Sequence, residues 1–381
     1  MKKLIALILC ALLVCSCAFA EDERIELMSV GSEKVYLDDV QALAYTMYQY
    51  GLASSETDYF SGLEYYLYYS LSSALLIDDP YEYLTAEDAQ PTIDEANATY
   101  DSAVASIKNS LGTTELTDEE LENEVAAQVG ITRQEYIDSC LKSAAFDAKL
   151  GAEDIVVTEE EVLKMYNDEA EYEMAQVSSI SMYEMYTNYY GYDFLFTPEG
   201  YRGVLHILID ADAELLTAYS EAADDEAKAA AAAAVVANVQ PTLDEIYAAF
   251  EAGTPFTDLI AIYNIDPGME NEENLAAGYL VHPESTAWVE EFTKGAFSEK
   301  MQAPGDISDP VVTSYGVHIE YYLRDVPAGV KEITDDYFAT FYDYCRNEKI
   351  LAVIEGWLKE YEISYTDAYD EYIGAPNFLD D

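Results

Sequence analysis

Two apolar runs constrain what this chain can fold into. Val204-Leu205-His206-Ile207-Leu208-Ile209 reads as a buried β-strand, and Val317 to Leu323 reads as another. A third strand, Pro310 to Thr313, leads into the second run through the turn Ser314-Tyr315-Gly316. Each run carries a histidine, His206 in Leu-His-Ile and His318 in Val-His-Ile, and the chain has one more, His282. A single histidine on an apolar strand is usually a satisfied core residue. Two on strands of one small domain are expected to face each other. A buried imidazole pair must share protons and fix each other's tautomers.

The strands lie among helices. Asp38 and Asp39 open a helix to about Gly51, a Tyr- and Leu-rich helix spans Glu56 to Ile77, and a third runs from Ala86 to Leu111. Capping boxes at Thr117 to Glu120, Thr132 to Glu135 and Thr158 to Glu161 start three more, ending near Gly130, Gly151 and Tyr172. Arg24 to Tyr36 is a strand-like lead broken at Gly31-Ser32-Glu33-Lys34. Residues 174–200, rich in Met and Tyr and interrupted by Gly191, Pro198 and Gly200, read as a connector with an extended segment around Asp193 to Phe196. Helices over Ala213 to Val239, Pro241 to Ala252, Thr257 to Tyr263 and Glu284 to Ala296 accompany the strands, and a long helix runs from Thr334 to Tyr361. The expected class is α+β. A signal peptide occupies 1–20, an all-helical domain 21–173, a connector 174–200, and a small antiparallel sheet with helices 201–327. The C-terminal helix and tail over 328–381 are expected to pack back on the helical domain.

Composition bounds the partners. The chain has 75 acidic and 18 basic residues, a net charge of −57, yet half of it is apolar. That is enough apolar material for real cores rather than a disordered acidic chain. The charge excludes nucleic acid, whose phosphates need a basic face, and argues against anionic lipid. The 35 tyrosines supply apolar area with a polar tip, suited to contact surfaces. Acidic, Tyr-rich composition reads equally as a means of keeping a secreted protein soluble.

Lys2 and Lys3 followed by apolar Leu4 to Val14 form an export signal, too short for a membrane span of ~20 residues. Cleavage after Ala18-Phe19-Ala20 leaves a soluble chain from Glu21, the preferred reading. Alternatively, Val14-Cys15-Ser16-Cys17 resembles a bacterial lipobox, with Cys17 lipidated and the membrane met only through that anchor. The chain from Glu21 keeps 16 basic and 75 acidic residues, a charge of −59. Of the five cysteines, only Cys140 and Cys345 lie beyond the signal region, either paired with each other or set separately as small core residues. No Cys/His spacing has the pattern of a zinc site.

The segment after residue 200 resembles parvulin-type peptidyl-prolyl isomerases. The strand Val204 to Ile209 is similar to their first strand, Ala252-Gly253-Thr254-Pro255-Phe256-Thr257-Asp258-Leu259 to their helix-to-helix step, and Asp266-Pro267-Gly268 to the loop carrying their acidic or thiol residue. Pro304-Gly305-Asp306-Ile307-Ser308-Asp309-Pro310-Val311 and Tyr315-Gly316-Val317-His318-Ile319 resemble their closing motifs, with Val317 in place of an aromatic. Order and spacing agree over about 120 residues. The layout of the flanks looks like exported foldases and periplasmic chaperones of the SurA and PrsA type.

The resemblance implies roles. His206 and His318 are the facing histidines, Asp266 lies beside the substrate carbonyl, and Tyr315 takes the aromatic position in the last turn. Trp288, Phe292 and Phe297 wall the proline pocket. It implies an isomerase needing no cofactor or metal, acting on unfolded or partly folded secreted polypeptides with X–Pro bonds. The alternative is an idle parvulin-like holdase that only binds unfolded chains. Three departures stand out. Gly278-Tyr279-Leu280-Val281 replaces Gly-Asp-Leu-Gly, and Trp288 stands where Met or Leu is common. Ala213 to Val239 offers one basic residue, Lys228, which argues against phosphorylated substrates. His282 matches no family position and reads as a surface-loop residue.

Overall fold

The protein is described as a computed structural model covering residues 24–111, 116–129, 131–374 and 379. The signal region with Cys17, and Gly130, lie outside the described residues. The chain forms two compact units, one of Met1–Val157 with Tyr342–Asp381, the other of Thr158–Phe341. No described helix is long and apolar enough to cross a membrane.

In the first unit, β1 (Glu26–Val30) and β2 (Glu33–Tyr36) form a hairpin. Then come α1 (Leu37–Gln49) and α2 (Tyr59–Tyr65). The latter passes through a π-helical stretch, Tyr66–Leu71, into α3 (Ser72–Leu76). The wide turn is buttressed by Ser72, whose buried hydroxyl donates to the Leu67 carbonyl at 2.7 Å. Next are α4 (Ala86–Leu111), α5 (Asp118–Val129) and α6 (Arg133–Gly151), the last starting at a complete Thr132–Glu135 capping box.

This unit is not all-helical as expected. Strand Ile363–Tyr365 pairs antiparallel with the far side of β1, Met28 opposite Tyr365, making a three-stranded sheet. The helix Asp335–Leu358 buries Ile350, Ile354 and Leu358 in the same core as Leu27, Leu63 and Leu67. Cys140 packs beside Tyr100, Val125 and Leu141, while Cys345 is buried on the long helix.

The second unit opens with α7 (Glu159–Gln176) and α8 (Ile180–Asn188), then β3 (Phe196–Thr197) and β4 (Arg202–Ile209). After these come α9 (Ala213–Ser220), α10 (Asp225–Glu251), α11 (Phe256–Tyr263), α12 (Glu272–Ala277) and β5 (Tyr279–Val281). Helix α13 (Glu290–Ala296), β6 (Val311–Thr313), β7 (Gly316–Asp325) and β8 (Gly329–Val330) complete it. The main sheet is antiparallel in the order β5-β4-β7-β6, and β3 pairs with β8. Side chains alternate along the strands. Leu205, Ile207, Val317 and Ile319 therefore meet Leu243 and Ile246 of α10 on one face. Val204 meets Phe292 and Ala296 of α13 on the other.

Three expectations are corrected here. The stretch 174–200, read as a connector with an extended segment around Asp193 to Phe196, does hold the short strand β3 from Phe196 but is more than a connector. It carries α8, and the buried Glu173 carboxylate accepts from the Leu195 amide at 2.7 Å and the Tyr192 hydroxyl at 2.8 Å. Tyr183, Phe194, Phe196 and Tyr201 form a core of their own there. Consequently the unit boundary falls at Thr158, not at 173. Second, Pro241 does not start a helix but lies inside α10, because Val235, Val239, Leu243 and Ile246 keep one buried face across it. Third, the segment expected to be helical from Glu284 is helical only from Glu290.

Close approach at Gly62 sets the contact between α1 and α2. A Cβ there would lie 2.7 Å from the Val40 carbonyl oxygen, a backbone atom that cannot swing aside. Gly62→Ala is expected to destabilise the protein by about 1–3 kcal/mol through overpacking. Urea unfolding checks this, and a variant as stable as the parent would refute the packing argument.

Candidate active site

Antiparallel pairing of β4 with β7 places Leu208 opposite His318 and His206 opposite Glu320. His206 and His318 are therefore diagonal neighbours on the face covered by α13. Both are buried, and their Nδ1 atoms lie 3.1 Å apart with the rings nearly stacked. Phe292 of α13 stands edge-on to both rings, at 5.2 and 5.4 Å.

Asp266 closes the group from the loop after α11. His206 Nε2 lies 2.8 Å from its Oδ2, and the Tyr279 hydroxyl donates to the same oxygen at 2.8 Å. The Gly268 amide donates to Oδ1 at 3.0 Å. Asn264 fixes the loop, its Oδ1 accepting from the Leu208 and Asp266 amides and its Nδ2 donating to the Asp266 carbonyl. A Cβ at Gly268 would lie 1.8 Å from the Tyr279 hydroxyl, so the glycine keeps room for the bond from Tyr279 to Asp266. At the other end, Thr313 Oγ1 lies 2.9 Å from His318 Nε2 and accepts from the Tyr315 amide at 3.0 Å.

These contacts fix the tautomers. Hydrogen bonding to His206 in the first place, with help from Gly268 and Tyr279, holds the Asp266 carboxyl well below the usual carboxylate range. The carboxylate can only accept, so His206 donates from Nε2, and with a neutral ring it accepts at Nδ1. His318 then donates from Nδ1 and accepts at Nε2 from the Thr313 hydroxyl. Burial, reinforced by His206, pushes His318 down to about 3. A single directed chain results: Thr313 to His318 to His206 to Asp266. Burial first, and the bond to Asp266 second, push the Tyr279 phenol up, so it remains a donor.

The group lies in the wall of a cleft of about 320 Å³ lined by His206, Asp266, Tyr279, Trp288, Phe292 and His318. Tyr315 stands at its rim, 65% exposed. Trp288 precedes α13 rather than riding on it. Its indole stacks on Tyr279 at 4.5 Å and donates to the Leu280 carbonyl at 2.8 Å. The loop before it is held by Glu184 of α8, whose buried carboxylate accepts from the Ser285 hydroxyl and from the Thr286 and Ala287 amides. These bonds hold residues 285–287 as a loop, and the helix begins at Glu290.

Of the expected residues, His206, Asp266, His318, Tyr315, Trp288 and Phe292 converge on this cleft. Phe297 does not. It follows the last residue of α13 and packs against Phe292, Ala296 and Val204, with the Arg202 guanidinium 4.3 Å over its ring. His282 is buried rather than at the surface, with Nε2 against the Glu199 carbonyl and Nδ1 accepting from the Glu284 amide. Lys228 is paired with Glu291 at 2.6 Å. Tyr279, Thr313, Asn264 and Glu184 were not singled out as site residues. Only Tyr279 had a signal, the altered Gly-Tyr-Leu-Val segment.

One buried acid remains. Glu320 is 0% exposed, and neither oxygen has a hydrogen-bond partner among the described residues, nor does Thr293 Oγ1 of α13. Burial pushes its carboxyl well above the usual range.

The chain matches no protein-family model and no curated protein. Among solved structures it is similar to PrsA from Bacillus subtilis, at 16% identity over 84% of this chain and 88% of that one, with a TM-score of 0.22. It is similar to the peptidylprolyl isomerase PrsA from Bacillus cereus at 18% identity, over 85% and 95%, TM-score 0.22. It is also similar to the foldase protein PrsA from Streptococcus pneumoniae at 14%, over 91% and 99%, TM-score 0.22. At such low identities and TM-scores these likenesses decide nothing about the site.

His318 and Glu320 have opposite pH effects. A folded His318 titrating near 3, against 6.5 when exposed, binds fewer protons than the unfolded chain between those values. Stability is therefore expected to fall as pH drops through that window, and His318→Asn should flatten this limb in urea titrations. Parallel curves for parent and variant would refute it. Glu320 is raised, so its fold prefers the protonated form, and stability is lost as pH rises above about 4.5. Glu320→Met is expected to stabilise by about 1–3 kcal/mol, more at pH 8 than at pH 5, by removing an unpaired buried polar group. A loss of stability at both pH values would show that the carboxyl has a partner.

Proposed function

We propose that this chain is a peptidyl-prolyl cis-trans isomerase of the parvulin type, exported to assist the folding of secreted polypeptides. One observation carries the reading: the His206–His318 pair, anchored on Asp266, stands in the wall of an open, largely apolar cleft. The ordered motifs from Val204 to Ile319 support it independently.

Rotation about an X–Pro bond faces a barrier of ~18–20 kcal/mol, while the isomers differ by only about 0.5–1 kcal/mol. No bond breaks, so binding the twisted amide better than the planar one is sufficient. The proline ring takes the apolar side, against Phe292 and Trp288. Twisting ends amide conjugation and draws negative charge off the carbonyl oxygen. The Asp266 carboxylate beside that oxygen therefore disfavours the planar form relative to the twisted one. His206 and Tyr279 keep the carboxylate charged and aimed, and His318 and Thr313 hold His206 in the required tautomer. The stack of Tyr279 on Trp288 narrows the slot without filling it.

A second reading, a holdase that binds without turnover, is favoured by exposed aromatic surface. Tyr186, Tyr189, Tyr190 and Tyr192 cluster at the end of α8, with Tyr189 81% exposed. Protease-coupled isomerisation of a proline tetrapeptide separates the two. Turnover above background is expected, reduced at least about tenfold, or about 1.4 kcal/mol of barrier, by His206→Ala or Asp266→Ala. A folded protein with no rate above background, which still suppresses aggregation of an unfolded client, would establish the holdase instead.

A further inference from the structure

A second cleft of about 470 Å³ adjoins the first, and the two share Tyr279 and Trp288. Its far side is α8, the helix in the segment read as a connector, which contributes Thr187 and Asn188. Its near side is Asn274 and Leu280, the latter 42% exposed. Glu184 joins the two sides through its bonds to Ser285, Thr286 and Ala287. Asn188 is followed directly by the exposed Tyr189 and Tyr190. The surface thus runs from the proline slot over the Tyr279–Trp288 stack to an aromatic edge.

Its charge has one sign. Glu273 and Glu184 are its charged lining residues, and no lysine or arginine lines it. The Glu184 carboxylate is occupied by its donors, which leaves the exposed Glu273 for a ligand. The flanking tyrosines offer ring faces to a cation.

We propose that this second cleft is a polypeptide subsite for the client residues flanking the proline, and that it selects an extended segment carrying lysine or arginine. The inference rests on the isomerase reading for the placement of the proline. An extended chain advances about 3.3 Å per residue, so a tetrapeptide occupies mainly the first cleft and a longer peptide reaches the second.

The test compares peptide binding and isomerisation in the full protein. A core Ala-Ala-Pro-Phe peptide is set against versions extended by three residues at either end, containing Lys or Glu. Affinity is read by fluorescence anisotropy. A Lys extension at one end is expected to tighten binding about tenfold at low salt, and a Glu extension is not. Asn188→Arg combined with Glu273→Gln is expected to bring that preference close to one, and Glu273→Gln alone to halve it or more. The inference is overturned if neither extension tightens binding, or if the preference survives in the double variant. Absence of turnover together with a retained Lys preference would sink the isomerase reading and leave the subsite standing. Turnover without the preference would do the reverse.

Discussion

His206 and His318 meet because β4 and β7 pair with Leu208 opposite His318 and not one residue away. A slip of one position would turn a histidine into the Leu205–Ile207 core and bring an aliphatic side chain into the cleft. The carboxylate depends on the same strand. Asn264 bonds the Leu208 amide and both backbone groups of Asp266, so the acidic loop is pinned to β4 beside the imidazole it serves. Strand register therefore sets the whole donor chain, and α13 only roofs it with Phe292.

The same face of the sheet sorts two carboxyl groups into opposite states. Asp266 is reached by an imidazole, a phenol and an amide, and stays charged at the cleft wall. Glu320, directly across from His206 on the neighbouring strand, has no donor among the described residues, and burial favours its neutral form. Burial alone does not decide ionisation; the number of donors supplied does. In a chain with 75 acidic residues, this is what sets Asp266 apart from Glu320.

The strands were legible because an apolar run of six residues announces one locally. The facing of His206 and His318 followed from a histidine on each of two such strands, and Asp266 was reached only through the resemblance of Asp266-Pro267-Gly268 to a family loop. Helix α8 was not legible, since its Met- and Tyr-rich sequence lacks a clear apolar stripe and lies close to Gly191. Nor was the third strand of the first unit, because Ser364 finds Ser29 across 335 positions and leaves no local trace. Glu173 and Glu184 organise their surroundings through buried carboxylates, but in so acidic a sequence one more glutamate carries no signal. Phe297 was misplaced because a motif fixes its position in the chain, while its facing depends on where α13 ends.

The first unit is built from both ends of the chain. Strand β1 is flanked by β2 on one side and Ile363–Tyr365 on the other, and Leu379 and Tyr369 lie in the same core as Leu27. A ribosome releases the amino-terminal half of that core long before its partners exist. The intervening unit, contiguous in sequence, can close on itself meanwhile. For an interval set by some 200 residues of synthesis, β1 and the helices after it expose an unfinished edge and an unfilled apolar face. Such a protein is itself a nascent client until its last turn emerges.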